Sequence, residues 1–121
     1  MRVLFIDFNG TLDTVADMPS FIKTLKDQGD CLILMTGNTS GAIKALGETA
    51  SEFAFIAAKP FNLPDLLREL GEEDRLGGNP TEVIVVDDSG PLVRSLVRCS
   101  RDALDIPIRG LGARDILELV T

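Results

Sequence analysis

Histidine is absent from the 121 residues of this chain. That excludes Ser-His-Asp and Cys-His catalysis and every histidine-ligated metal centre. Cysteine is scarce. Cys31 and Cys99 stand far apart, form no CxxC pair and lie in or beside apolar stretches, so both are expected as small buried hydrophobes, a disulfide being unusual for a chain of cytosolic character. Long apolar runs are missing too: the longest, Phe53–Ala58, has six residues, against the roughly 20 a spanning helix needs. Asp7 breaks the N-terminal run too early for a signal peptide, so a soluble cytoplasmic protein without a membrane segment is expected. Positive charge is in deficit, with 12 Lys and Arg against 19 Asp and Glu and a net charge of −7. An acidic surface opposes non-specific binding to nucleic acid or anionic membrane and suits the gathering of divalent cations. Internal repeats and linkers are absent. A 45% hydrophobic, 26% charged composition and this length fit one globular domain, residues 1–121.

What is present is an alternation. Apolar runs at Val3–Ile6, Cys31–Met35, Phe53–Ala58, Val83–Val86 and Ile106–Ile108 read as strands buried on both faces, since they run on without polar alternation. Segments of helical spacing separate them: Phe21, Ile22 and Leu25; Ala42, Ile43 and Leu46, with Ser40 as a cap; Leu63, Leu66, Leu67 and Leu70, stopped by Gly71; Leu92, Val93, Leu96 and Val97; and finally Ile116, Leu117 and Val120. Gly71–Thr81 reads as a surface loop and Gly110-Leu111-Gly112 as a turn. This order predicts a five-stranded parallel sheet with helices on both faces, a three-layer α/β/α Rossmann-like fold, with ligands bound at the carboxyl ends of the strands.

The strand ends therefore carry the chemistry. The first ends in Asp7, the second in Thr36-Gly37-Asn38, the third in Lys59-Pro60 and the fourth in Asp87-Asp88-Ser89. Clustered aspartates repel one another unless a hard cation bridges them, and Mg²⁺ takes one or two carboxylates with several waters. A hydroxyl, an ammonium and backbone N–H groups can hold and neutralise phosphoryl oxygens, and catalysis of phosphoryl transfer is mostly positioning and charge neutralisation. Asp7 could then attack phosphorus and form an aspartyl phosphate.

The series Asp7-Phe8-Asn9-Gly10-Thr11, then Thr36, then Lys59, then Asp87-Asp88 resembles the four motifs of the haloacid dehalogenase-like superfamily of hydrolases, in order and over nearly the whole chain. The resemblance implies that Asp7 is nucleophile and Mg²⁺ ligand and that the Asn9 main-chain carbonyl is a second ligand. It implies that Thr36, with Gly37 and Asn38, binds the phosphoryl group, that Lys59 stabilises it and the nucleophile, and that Asp88 and Asp87 complete the metal site directly or through water. Gly10 would allow the tight turn and Thr11 would brace it. The family's cap domains have no room after Leu12 or after Lys59. A capless site implies a large phosphorylated substrate or completion by a partner subunit.

Each residue also has a plainer role. Asp7 could be a turn residue, Thr36 a helix cap, Lys59 a solvated lysine, and Asp88-Ser89-Gly90 a helix start; the joint occurrence at strand ends favours the site. Arg94, Arg98 and Arg101 share one helical face and read as a solvated face rather than an anion-binding stripe. A receiver domain has a similar residue set in a different order, with paired acids at its first strand.

Asn9 stands where phosphatases of the family carry a second aspartate that protonates the leaving group and activates water. An amide can do neither, at a loss of roughly 10²–10⁴ in rate. The expected function is a slow or specialised Mg²⁺-dependent phosphohydrolase. The alternatives are a catalytically weak module binding a phosphorylated partner and, less favoured, a haloacid-dehalogenase-type hydrolase, whose relatives also lack the second aspartate but need a cap and no Mg²⁺.

Overall fold

The computed structural model describes all residues from Met1 to Thr121. Its centre is a five-stranded sheet of β1 (Arg2–Asp7), β2 (Cys31–Thr36), β3 (Phe55–Ala58), β4 (Glu82–Asp87) and β5 (Ile108–Gly112). All pairs are parallel, and the spatial order is β3-β2-β1-β4-β5. Between their ends the three inner strands are apolar because both their faces are covered. Alternate residues divide between two cores, as the two-residue period of a strand requires. Leu4, Ile6, Leu34 and Val86 meet the helix α1 (Met18–Asp27) and the helix α2 (Thr39–Leu46) on one face. Val3, Phe5, Met35 and Val85 meet α3 (Leu63–Glu72) and α4 (Gly90–Arg101) on the other. The molecule is thus a three-layer α/β/α Rossmann-like fold.

This division follows from handedness. Right-handed crossovers stepping from β1 to β2 to β3 put their helices on one face, and those stepping through β4 to β5 put theirs on the other. Each helix begins with a side-chain cap: Asp17, Asn38, Asn62 and Ser89 accept a hydrogen bond from a first-turn backbone N–H, each contributing about 1 kcal/mol. No inserted domain interrupts the order. A 3₁₀ turn at Leu12–Thr14 lies between β1 and α1, and only Lys59 through Asn62 separate β3 from α3. No helix is long and apolar enough to cross a membrane.

The far end of β1 is tied down as well. The Arg2 guanidinium donates to both oxygens of Asp30, at 2.9 and 2.7 Å, and to the Leu119 carbonyl at 2.7 Å. Gln28 donates to the same carbonyl and accepts from the Thr121 N–H.

Several sequence expectations are corrected. The fifth strand is Ile108–Gly112, not Ile106–Ile108, and Gly110-Leu111-Gly112 is strand rather than turn. As an edge strand with one neighbour, β5 needs no apolar run, and glycine suits it because α4 packs so closely that a Cβ at Gly110 would overlap Val93 Cγ1. The cap of α2 is Asn38, not Ser40, and α3 continues one residue past Gly71. The last helical segment, Ala113–Leu119, is 3₁₀ rather than α. Leu76 dips from its loop into the core beside α3, so that loop is not wholly superficial. Cys31 is buried as expected, but Cys99 is exposed, and both are free thiols.

The Gly110 contact yields a prediction. Gly110→Ala forces a methyl against a stiff valine, an overpacking that should lower stability by about 1–3 kcal/mol. Thermal unfolding checks it, and Gly112→Ala, with nothing within 4 Å of the new Cβ, serves as control.

Candidate active site

The strand order reverses between β1 and β4, and in open α/β sheets the ligand crevice lies outside the carboxyl ends at such a reversal. Ile6 and Val86 are register partners, so Asp7 and Asp87 leave the sheet side by side at that crevice. Both are buried, at 4% and 2% exposure. Lys59, from the loop after β3, reaches across to them. Its Nζ donates to Asp7 Oδ1 at 2.7 Å and to Asp87 Oδ2 at 2.8 Å. The second oxygens are also engaged: Asp7 Oδ2 accepts from Thr11 Oγ1 at 3.2 Å, and Asp87 Oδ1 from the Ser89 N–H at 2.9 Å. No buried side-chain polar atom lacks a partner.

The charges respond in different directions. Burial pushes the Asp7 carboxyl up, the charge of Asp87 adds to this, and Lys59 and Thr11 only partly oppose it. Burial also raises Asp87, but Lys59 and the Ser89 N–H outweigh it and hold that carboxyl below its usual range. Burial disfavours the Lys59 ammonium, yet the two carboxylates overcome this and hold it above its ordinary value. The trio is two negative charges around one positive one, with Asp7 the more readily protonated acid.

Asp88 is exposed and extends over Gly10 from across the crevice. A Cβ on Gly10 would overlap Asp88 Oδ2, and the Gly10 φ is +77°, so only glycine fits on both grounds. The turn is braced by Asp13, whose Oδ1 accepts from the Gly10 N–H at 2.8 Å. Sequence reasoning missed Asp13; an acid three residues past a turn glycine was the available signal. Asn9 sits exposed in this turn with no side-chain hydrogen bond. Gly10→Ala should cost about 1–3 kcal/mol from left-handed strain. Where the cluster holds Mg²⁺, the same substitution should weaken that binding by displacing Asp88, readable as a smaller Mg²⁺-induced rise in melting temperature than the wild type's.

Thr36 is buried at the end of β2, where its Oγ1 accepts from the Asn38 N–H at 3.0 Å. Its carbonyl accepts from the Lys59 N–H at 2.9 Å, locking the two loops together just before a cis Lys59–Pro60 bond. Gly37 is exposed. The Asn38 side-chain oxygen accepts from the Gly41 N–H and from the Ser40 hydroxyl, so that oxygen caps α2 and is not free for a ligand.

Ligand atoms of Asp7, Asp87 and Asp88 all lie within 4.8 Å of one another. Octahedral Mg²⁺ sets its oxygens about 3 Å apart when adjacent and about 4.2 Å when opposed. Small side-chain rotations, or a water in one position, bring these carboxylates into that range, and an all-oxygen donor set is the kind that a hard cation selects. The residues fit Mg²⁺.

No protein-family model matches the chain, and no curated protein does. Among solved structures, one described as "Structure of MT0777" aligns over 92% of this chain and 85% of that chain, with a TM-score of 0.42 and 12% sequence identity.

Proposed function

We propose that the chain is a Mg²⁺-dependent phosphohydrolase of haloacid dehalogenase-like type that works through an aspartyl phosphate on Asp7. The observation that carries this is the Lys59 ammonium bridging two buried carboxylates from neighbouring strands, at the point where the strand order reverses. A structural ion pair has no need to sit at an open crevice beside a third aspartate.

Bound Mg²⁺ would neutralise the carboxylates and the oxygens of the incoming phosphoryl group. This chain's residues do the remainder. The Thr36–Asn38 loop offers backbone N–H groups at Gly37 and the helix start beyond it to non-bridging oxygens. Lys59 stays protonated, holds Asp7 in place and faces the same oxygens. A carboxylate oxygen of Asp7 forms the bond to phosphorus as the bond to the leaving oxygen breaks. That oxygen takes the electron pair and departs without a proton from residue 9, because Asn9 has none to give. Water then attacks the aspartyl phosphate without a base at residue 9, releasing phosphate and restoring Asp7. The first step favours acyl or aryl phosphates, whose leaving groups need little protonation, and because water is poorly activated in the second the intermediate should accumulate.

The test is to trap it. Protein mixed with Mg²⁺ and acetyl phosphate should carry a phosphoryl adduct on the peptide holding Asp7, and Asp7→Asn should not. If neither adduct nor free phosphate forms, the hydrolase reading is lost. Asn9 itself then favours a second reading, a non-catalytic module that binds a phosphorylated partner, recognisable by ligand-dependent thermal stabilisation without turnover.

A further inference from the structure

Beside the acidic cluster lies a cavity of about 760 Å³ between the first turns of α4 and the end of β5. Gly10, Asp87 and Asp88 form one wall, so it opens directly onto the proposed phosphoryl site. Its floor is kept low by glycines. Gly110 can carry no side chain against Val93, and a Cβ on Gly112 would meet nothing within 4 Å.

Two arginines line this space. Arg94 folds back toward the start of α4: a Cβ on Gly90 would stand 3.1 Å from its Nη1, which puts the guanidinium over the helix end that carries Asp88. Arg114, at the start of the terminal 3₁₀ segment, lines the facing wall and also borders the neighbouring cavity beside α1. Both are exposed, and neither has a carboxylate partner. By contrast Arg2, Arg68, Arg75 and Arg109 each form an ion pair. Asp115 also lines the cavity but pairs with neither. Arg98 and Arg101 are exposed without partners as well, yet they lie outside the cavity and fit the solvated face read from the sequence.

The cavity wall also carries Asp87, Asp88 and Asp115, but Asp87 is paired with Lys59 and belongs with Asp88 to the acidic cluster, which leaves two guanidinium groups without a carboxylate partner. Guanidinium groups bind phosphate and carboxylate through paired N–H donors, and a volume of this size is typical of small-molecule sites. We propose that the cavity holds the leaving-group half of the substrate, and that Arg94 and Arg114 bind a second anionic group on it. The substrate class is then a small phosphomonoester carrying a second phosphate or a carboxylate. This rests on the phosphohydrolase reading of Asp7. It departs from the large substrate that a capless rim alone implies.

Matched pairs of compounds test it: glycerol phosphate against phosphoglycerate, and fructose 6-phosphate against fructose 1,6-bisphosphate. The first pair isolates a carboxylate and the second a phosphate. Wild type with Mg²⁺ should favour the doubly anionic member by roughly 10–100-fold in kcat/KM, the range set by hydrogen bonds to charged groups. The Arg94→Gln/Arg114→Gln double variant should lose that preference, mostly through KM, and Arg94→Lys/Arg114→Lys should recover part of it. Gly112→Leu places a side chain into the cavity at an extended backbone position (φ −72°, ψ 152°), and should lose the preference with the melting temperature kept. Thermal stabilisation by fructose 1,6-bisphosphate, followed in the same variants, reads binding without turnover. Hydrolysis with no preference in wild type, or a preference that neither the arginine variants nor Gly112→Leu moves, overturns the cavity assignment and leaves the hydrolase reading standing. Stabilisation that depends on Arg94, Arg114 and an open Gly112, without turnover or phosphoenzyme, does the reverse: the anion site stands and the hydrolase reading falls. No binding of these compounds together with no phosphoenzyme from acetyl phosphate removes both.

Discussion

Asn9→Asp should raise turnover of an alkyl phosphate by roughly 10²–10⁴-fold, the usual contribution of one general acid/base. The substitution changes an amide to a carboxyl of nearly the same shape at an exposed turn position with no side-chain hydrogen bond. Stability should therefore hardly move. The gain should be graded by the leaving group. An alkoxide needs a proton as it departs and benefits most; an aryl or acyl leaving group needs little, and its gain comes mainly from faster hydrolysis of the aspartyl phosphate. Steady-state phosphoenzyme should fall accordingly. Measuring kcat for an alkyl and an aryl phosphate with wild type and variant, at fixed Mg²⁺, decides the matter. Equal and negligible rates in both proteins would leave Asp7 a binding residue and favour the non-catalytic module.

Lys59→Met should lower stability markedly, and Mg²⁺ should offset the loss. Removing one partner of a fully buried pair costs about 3–5 kcal/mol. Lys59 keeps 24% of its side-chain exposure, so screening reduces the figure to roughly 2 kcal/mol. Near neutral pH that shifts the melting temperature by about 5–10 °C in a domain of this size. Asp7 and Asp87 would then face each other ionised and unbridged. The pH dependence has a definite sign. The lowered carboxyl of Asp87 contributes stability above its unfolded value that is lost as pH falls, and the raised Lys59 contributes stability below its unfolded value that is lost only at alkaline pH. Both contributions come from the bridge, so the gap between wild type and variant is widest between these ranges. It narrows as pH falls into the carboxylate range, where the raised Asp7 takes up its proton first. Mg²⁺ should raise the variant's melting temperature more than the wild type's, because the cation supplies charge that Lys59 otherwise supplies. Equal Mg²⁺ shifts in the two proteins would separate the acidic cluster from cation binding.

The fold was legible where the physics is local and repetitive. Runs such as Val3–Ile6 and Val83–Val86 have to be interior strands, and the order of strands and helices leaves few topologies open. The strand-end residues Asp7, Lys59 and Asp87 do meet, at hydrogen-bonding distance. What escaped was set by tertiary context. β5 has a covered neighbour on one side only, so it carries no apolar run, and its glycines mimic a turn. Ser40 and Asn38 are both good caps, and only the backbone geometry chooses Asn38. Cys99 lies on the exposed side of α4, a matter of helix phase that its apolar neighbours obscure. Arg94 and Arg114 are 20 positions apart by their numbering, and no spacing rule brings them to one cavity.

The Lys59 bridge also has a meaning in time. It joins residues separated by 52 and 28 positions in sequence, and every strand pair it depends on is parallel and non-local. Long-range parallel pairing has to close large loops before any contact rewards it, so such contacts form slowly. A chain emerging N-terminal end first holds Asp7 and Thr36 long before Asp87 and Asp88 exist, and until β4 docks beside β1 there is no cluster to attract a cation. On the Mg²⁺ reading proposed above, cation affinity would therefore be an assay of completed folding: a half-made or partly opened molecule, however much secondary structure it keeps, would register as metal-blind.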